Sequence, residues 1–438
     1  MKPLSVLVAA AALLAGSPAC AQGVYTKIAT YGCFYGTCQP GLPVTQMVEA
    51  APGSFVGSLT FGALYTLGSS GEFSAVHSLD NYFVGIGTPL HASDGAFYFP
   101  APSGGANAAL YKLDLAGQTV QTLATPAVYD ALTPVETPDQ VLHSASVPVN
   151  GEGETFTVTL DGEVSAGVAV PKSGSIGTLL VASDGTLYGL TTPWGGSDSS
   201  LIRFQPSGRY RTVSTFPRAN ASLIEASDGN FYGCNSNSLF RLTPAGAYTA
   251  IYTFPGGGLG SAVYGCGIQA SDGNLYGTTS EGGAYGYGTV FRATLDGQVA
   301  TVYSFTGDDQ AQHPSQYVPG LVQGSDGKLY GQTSGPYANS PGSNIGATTY
   351  SLDLGLPRPL PAIVRASSRR APAGSTIVVT GRSFLGTTAV TWNGIPASFT
   401  VKAAEYLEVT LPAGVKGGKL TVTTPNGSVT STFAIRVG

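Results

Sequence analysis

The stretch "QASDGNLYGTTSEGG", residues 269–283, recurs along the chain: "VASDGTLYGLTTPWGG" begins at 181, "EASDGNFYGCN" at 225 and "QGSDGKLYGQTSG" at 323. The glycine of each Ser-Asp-Gly falls at 95, 185, 229, 273 and 327, and two degenerate copies keep the register, "VEAAPGSFVG" with Gly53 and "VETPDQVLH" with Gln140. The steps are then 42, 45, 45, 44, 44 and 54 residues, so seven units span 25–355. A second register agrees, because an offset of 14 residues joins Phe291 to Phe305, Phe240 to Phe254 and Ile202 to Phe216.

Each unit divides into four short apolar or alternating runs. In the sixth these are "GIQA", "NLYGTT", "TVFRAT" and "VATVYSF", parted by a Ser-Asp-Gly turn, a Gly-rich loop and a Leu-Asp-Gly turn. Asp-Gly between strands is a hairpin signal, since glycine accepts positive φ and aspartate bonds its own backbone. Four strands recurring at this period predict propeller blades. Asp94, Asp184, Asp228, Asp272 and Asp326 therefore read as turn formers; a Ca²⁺ site needs more oxygen ligands than one carboxylate per turn. The seventh unit ends at "TTYSLDLG" without a fourth strand, and "YTKIATY" at 25–31 matches "YTAIYTF" at 248–254. The N-terminal strand is thus expected to complete the last blade and remove its open edge.

With these residues in view, the pattern "L.Q.SDG.LYGTT..GG..G.GTVF....DG....LYSF" resembles the GloVer tandem repeat of exported bacterial proteins with varied anchoring modules. The sixth unit matches closely, the fourth, fifth and seventh recognisably, and the first three by register. The resemblance implies an extracellular or surface propeller with no established chemistry.

Beyond Pro357, Pro359 and Pro361, which read as a stiff linker, β-branched residues alternate. The segment is similar to an IPT/TIG domain, with Pro361, Ile363, Gly374, Gly381, Phe384, Asn393, Gly394, Pro412 and Gly427 where that family places them. The resemblance implies an immunoglobulin-like sandwich serving as a spacer or adhesive unit, and Trp392 reads as a core anchor. The expected fold is all-β, a seven-bladed β-propeller over residues 22–355, a linker over 356–361 and an immunoglobulin-like IPT/TIG β-sandwich over 362–438.

Composition agrees with many short strands and turns: 10% of residues are charged, and glycine and proline number 61 and 29 of 438. The net charge of −5 is scattered, with no basic patch, which argues against nucleic acid as a partner. Lys2, the apolar run Leu4 to Ala15 and the small residues of "SPACAQ" read as an export signal over residues 1–21, cleaved after Ala21. Ser17 stands where a lipoprotein signal places Leu, which argues against acylation at Cys20. No later segment reaches the ~18 to 20 apolar residues of a spanning helix. The expectation is a secreted or cell-surface monomer without a transmembrane segment.

Cysteine use fits export, since Cys33, Cys38, Cys234 and Cys266 form an even set in an oxidising compartment, and Cys234 is expected to bridge to Cys266 between adjacent blades. A nucleophile elbow, an H-E-x-x-H helix and a glycine loop opening a helix are all lacking in the sequence, so neither a catalytic residue, a metal nor a cofactor is assigned. The histidines at 77, 91, 143 and 313 fall in different blades, and His91 and His143 read as structural.

The sixth unit carries the extra length, in "EGGAYGYG" and "TGDDQAQHPSQYVPG". Both loops share the face opposite the Asp-Gly turns, where loops on a rigid scaffold gather binding residues. Glu281, Tyr285, Tyr287, Asp308, Asp309 and His313, with Trp194 of the fourth unit, are the candidates for binding an extracellular glycan or surface protein. Two other readings stand beside this: a polysaccharide-active hydrolase or lyase using Glu281 with Asp308 or Asp309, and a structural surface protein without a small-molecule site.

Overall fold

The architecture is that of a computed structural model, which describes residues 23–34, 37–39, 45–59, 63–78, 87–102, 108–124, 130–131, 133–147, 153–170, 175–192, 198–205, 209–220, 223–306, 320–334 and 345–438. The chain is all-β: among these residues the one helical element is the 3₁₀ turn Gly257–Leu259. No helix among them is long and apolar enough to cross a membrane. The export signal proposed at 1–21, with Cys20, lies outside the described residues.

Up to Asp353 the strands form antiparallel sheets that follow one another along the chain, numbered here from sheet 1, which carries Gly53, to sheet 7, which carries Gly327. Sheet 6 is typical, with Ser261–Gln269, Leu275–Glu281, Thr289–Ala293 and Val299–Ser304 paired in sequence order. Its first strand is longer than the sequence suggested, and Cys266 lies inside it rather than before it. In sheet 3 the inner edge is split into Asp130–Ala131 and Val135–Glu136, both paired with Val141–Val147. First strands of successive sheets approach one another, so each sheet leans on the next around an axis.

Sheet 7 takes its outer strand from the other end of the chain. Val24–Phe34 pairs antiparallel with Ile345–Asp353, from Val24 opposite Asp353 to Cys33 opposite Ile345. Tyr25 then stacks between Tyr303 of sheet 6 and Tyr350 of sheet 7, at centroid distances of 5.1 and 5.3 Å. The side chains between neighbouring sheets are apolar and buried, as at Tyr276, Val290, Phe305, Leu329 and Leu352. Each large aliphatic or aromatic side chain so covered contributes about 1.5–3 kcal/mol, which makes the inter-sheet layers the main source of cohesion.

The Asp-Gly turns are held locally. Oδ1 of Asp94, Asp184, Asp228, Asp272 and Asp326 accepts the amide two residues on, at 2.8 to 3.1 Å. Oδ2 of four of them accepts a tyrosine hydroxyl four residues on, from Tyr98, Tyr232, Tyr276 and Tyr330, at 2.7 to 2.9 Å. The tyrosine ring lies in the inter-sheet core while its hydroxyl ties the turn. At Asp94 burial opposes the charge, but Lys112 at 2.7 Å, Tyr98 and the Ala96 amide outweigh it and hold the carboxyl below its usual range. Gln140, with φ 63°, adopts the left-handed conformation that glycine supplies in the other copies.

A second device crosses between sheets. The serine of one Ser-Asp-Gly turn bonds a Glu or Gln two residues before the corresponding position in the next sheet: Ser183 with Glu225, Ser227 with Gln269 and Ser271 with Gln323. Ser93 gives both its amide and its hydroxyl to Glu136. Ser325 of sheet 7 does the same with Glu49 of sheet 1, at 2.9 Å for each donor, and so closes the ring.

Residues 362–438 form two four-stranded sheets sharing one core, ordered Ala362–Ala366, Thr376–Arg382, Tyr406–Thr410, Ser398–Ala403 and Ile395–Pro396, Ala389–Trp392, Leu420–Thr424, Gly427–Thr430. Trp392 is fully buried in that core, and its indole N–H donates to Lys416 O at 3.2 Å. Asn393 and Gly394, at φ 46° and 83°, make the two-residue turn expected of Asn-Gly.

This unit is seated on the ring. Asn426 Nδ2 donates to Ser325 O at 2.9 Å and to Pro359 O at 3.1 Å, and Pro357 O accepts from Gln323 Nε2 at 3.2 Å. The linker prolines have lost their N–H groups but keep carbonyls, and those carbonyls fasten the linker down.

Candidate ligand face and its loops

The turn between first and second strands and the turn between third and fourth lie at one end of every sheet. Loops between second and third strands, and between sheets, lie at the other. Among the described residues, the C-terminal unit meets the turn end and not the loop end.

On the loop face the best-defined feature is the sheet 6 loop. Strand Leu275–Glu281 is buried along its length until Glu281, which emerges exposed. The following glycines Gly282, Gly283, Gly286 and Gly288 all have positive φ, from 78° to 91°. At Gly282 a Cβ would also collide with Gly257 O, so the backbone approach to the neighbouring connection requires glycine. Gly283 N donates to Gly257 O and Gly288 N to Gly282 O, each at 2.9 Å, while Phe305 N reaches Gly288 O at 3.0 Å. The amide of Ala284 is taken by Ser304 Oγ at 3.1 Å. Backbone bonds thus fix the loop without help from a ligand.

The two loop tyrosines have different fates. Tyr287 packs against the core between sheets 6 and 7, whereas Tyr285 is 58% exposed, one of few large apolar side chains presented to solvent among the described residues. Glu281 is steadied by Ser261 Oγ, which donates to its Oε2 at 3.1 Å. The connection Gly256–Gly260, which the sequence reading did not single out, forms the other bank; its "PGGGLG" was the available signal. Among the described residues nothing lies within 4 Å of a Cβ placed at Gly256, Gly257 or Gly258.

Trp194, Asp308, Asp309 and His313 lie outside the described residues. Among the described residues no group of three or more His, Cys, Asp or Glu side chains comes together. Cys33 and Cys38 stand opposite one another in the hairpin of Val24–Phe34 and Thr37–Gln39. Cys234 is fully buried and its sulfur is disulfide-bonded; the side chains of Cys33, Cys38 and Cys266 lie outside the described residues.

His91 and His143 belong to the ring. His91 is buried, stacked on Phe97 at 4.1 Å, and burial pushes its pKa down to about 4. His143 meets Thr137 Oγ1 at 3.1 Å. One further crevice, about 270 Å³ including its open mouth, lies between the C-terminal unit and sheet 3 and includes Glu136, Pro138, Arg365 and Tyr406 in its lining.

Comparison with known proteins places these features. Among curated proteins no match to the chain is found. Of solved structures, the streptogramin B lyase superposes with a TM-score of 0.51 at 15% identity, covering 76% of this chain and 98% of the other. A catalytically inactive virginiamycin B lyase from Staphylococcus aureus, with quinupristin, gives 0.50 at 16% identity, over 74% and 99%. The extracellular domain of BT4673 from B. thetaiotaomicron gives 0.54 at 11% identity, covering 93% of this chain and 58% of the other. These likenesses are of fold alone, and with the ring of sheets they show an all-β propeller. The Gloeobacter/Verrucomicrobia repeat matches residues 219–355, so this part of the propeller is built from that repeat.

Proposed function

We propose that the chain is an exported seven-bladed propeller with an IPT/TIG-like C-terminal sandwich, and that its loop face binds an extracellular glycan at the cell surface or beyond. The observation that carries this reading is the presentation of Tyr285 and Glu281 on a loop fixed by backbone hydrogen bonds, on the face that the C-terminal unit does not meet among the described residues. A sugar ring gains from stacking on an exposed aromatic and from hydrogen bonds to an oriented carboxylate. Trp194, Asp308, Asp309 and His313 would extend the same rim. The propeller supplies the rigid support that lets such a loop bind without an ordering cost.

The test is a glycan array probed with the chain lacking residues 1–21, followed by titration of the best binder. Tyr285→Ala should weaken binding about tenfold or more, the scale of one stacking contact plus lost apolar area, with thermal stability unchanged. Asp272→Ala should lower stability and spare affinity. If Tyr285→Ala binds as the parent does while Asp272→Ala loses binding at full stability, the wrong face has been chosen. Conversion of a polysaccharide to smaller products, lost in Glu281→Gln, would favour the hydrolase or lyase reading.

A further inference from the structure

Two of the contacts between neighbouring sheets lack the serine clasp, and the C-terminal unit reaches both of them, as it also reaches the clasped turns at Ser325 and Glu136. In sheet 1 the serine position is Ala51, and its opposite number in sheet 2 is His91 instead of Glu or Gln. In sheet 3 the serine position is Pro138, facing Val181 of sheet 4. Both partners are changed together at each place, so neither seam retains half a serine clasp.

At the seam of sheets 3 and 4, Arg365 of the C-terminal unit fills the gap. Its Nη1 donates to Ala182 O of sheet 4 at 3.5 Å, and the same guanidinium shares a crevice with Pro138 and Gln140 of sheet 3. A Cβ placed at Gly185 would lie 3.0 Å from Pro138 and 3.3 Å from Arg365, so three chain segments converge there. Tyr406 also reaches Glu136, the carboxylate that clasps Ser93 at the seam of sheets 2 and 3. At the seam of sheets 1 and 2, the backbone of Lys402 hydrogen-bonds the His91 ring and passes within 3.6 Å of a Cβ at Gly95. On the sheet 1 side, a Cβ at Gly386 would stand 3.4 Å from the Pro52 ring.

The geometry points to a brace: residues 362–438 hold together the two pairs of propeller sheets that the Ser–Glu/Gln clasp does not join. The clasped seams need no such help, because each already carries two or more hydrogen bonds between neighbouring sheets. A propeller whose sheets contact only their neighbours opens first at its weakest seam. A single rigid body touching both sides of each weak seam blocks that opening. The C-terminal unit is therefore part of the ring's stability, whatever ligand the other face takes.

Hydrogen exchange on the full chain tests this. Arg365→Met keeps the aliphatic stem and removes the guanidinium. It should speed exchange of the turn amides at Thr137–Gln140 and Ala182–Gly185 about tenfold, the scale of one charged hydrogen bond. Amides at Ala226–Gly229 and Ala270–Gly273, at clasped seams, should stay within about twofold, the additivity error of distant sites. Adding Pro138→Ser with Val181→Gln, which copies the clasp of Ser227 with Gln269, should restore the slow exchange.

If Arg365→Met leaves those turns unchanged while strands 376–382 and 406–410 stay protected, the brace is refuted. Uniform acceleration at all turns, or failure of the implanted clasp to restore protection, also overturns it. Should Arg365→Met unfold the C-terminal unit, acceleration must still appear at both unclasped seams and spare the clasped ones; any other pattern counts against the brace.

Discussion

Glu49 is the residue through which the last sheet grips the first, and its replacement gives a direct measure of ring closure. Its carboxylate accepts Ser325 N and Ser325 Oγ at 2.9 Å each, and Gly53 N at 2.9 Å. Burial pushes its carboxyl pKa up; the donors from Gly53 and Ser325 act in the opposite sense. Three hydrogen bonds to a charged group, partly offset by that desolvation, give a net loss of about 2–4 kcal/mol for Glu49→Ala. At about 2 °C per kcal/mol the melting temperature should fall by about 4–8 °C. Glu49→Gln should cost under about 1 kcal/mol, because Gln269 and Gln323 already fill the same position elsewhere in the ring.

The pH dependence supplies a second readout. A carboxyl whose folded pKa is raised above the ordinary 4.5 contributes stability below that value and loses it as pH rises through the folded pKa. Glu49→Gln should therefore gain on the parent as pH rises above about 4.5. Calorimetry of the three proteins across pH measures both effects. If Glu49→Ala melts within about 1 °C of the parent, or if Gln is as harmful as Ala, the clasp does not hold the closure and the reasoning fails.

Deleting Val24–Phe34 would bare the edge of Ile345–Asp353, with aggregation or loss of cooperative melting as the expected result; light scattering during thermal unfolding reads it, and a parent-like melt would contradict the pairing. His91 titrates in the folded protein at about 4 against an ordinary 6.5, so it should withdraw up to about 3 kcal/mol of stability as pH falls across that range. In His91→Gln the slope between those pH values should flatten. Non-reducing peptide mapping should join Cys234 to Cys266, and replacing both by Ser should cost about 2–4 kcal/mol; two free thiols would exclude the bridge.

What the sequence alone determined is what the chain does within a few residues or repeats by phase. The Asp-Gly turns close on atoms two and four residues away, so Asp272, Gly273 and Tyr276 spell their own geometry. Register also carried the reading where the residue type failed, since Gln140 takes the glycine conformation at the spacing that marked it. The match of Tyr25–Tyr31 to another fourth strand likewise foretold the pairing across the termini. Tertiary structure decided which side chains meet across sheets. The clasp of Ser325 with Glu49 spans 276 positions and exists only because the ring closes. It also separated Tyr285 from Tyr287, equivalent in the sequence, by burying one ring against the next sheet. The seating of residues 362–438 on the turn face had no local signal at all. It rests on backbone carbonyls at Ala182, Ser325 and Lys402, which every residue type carries and no sequence pattern marks.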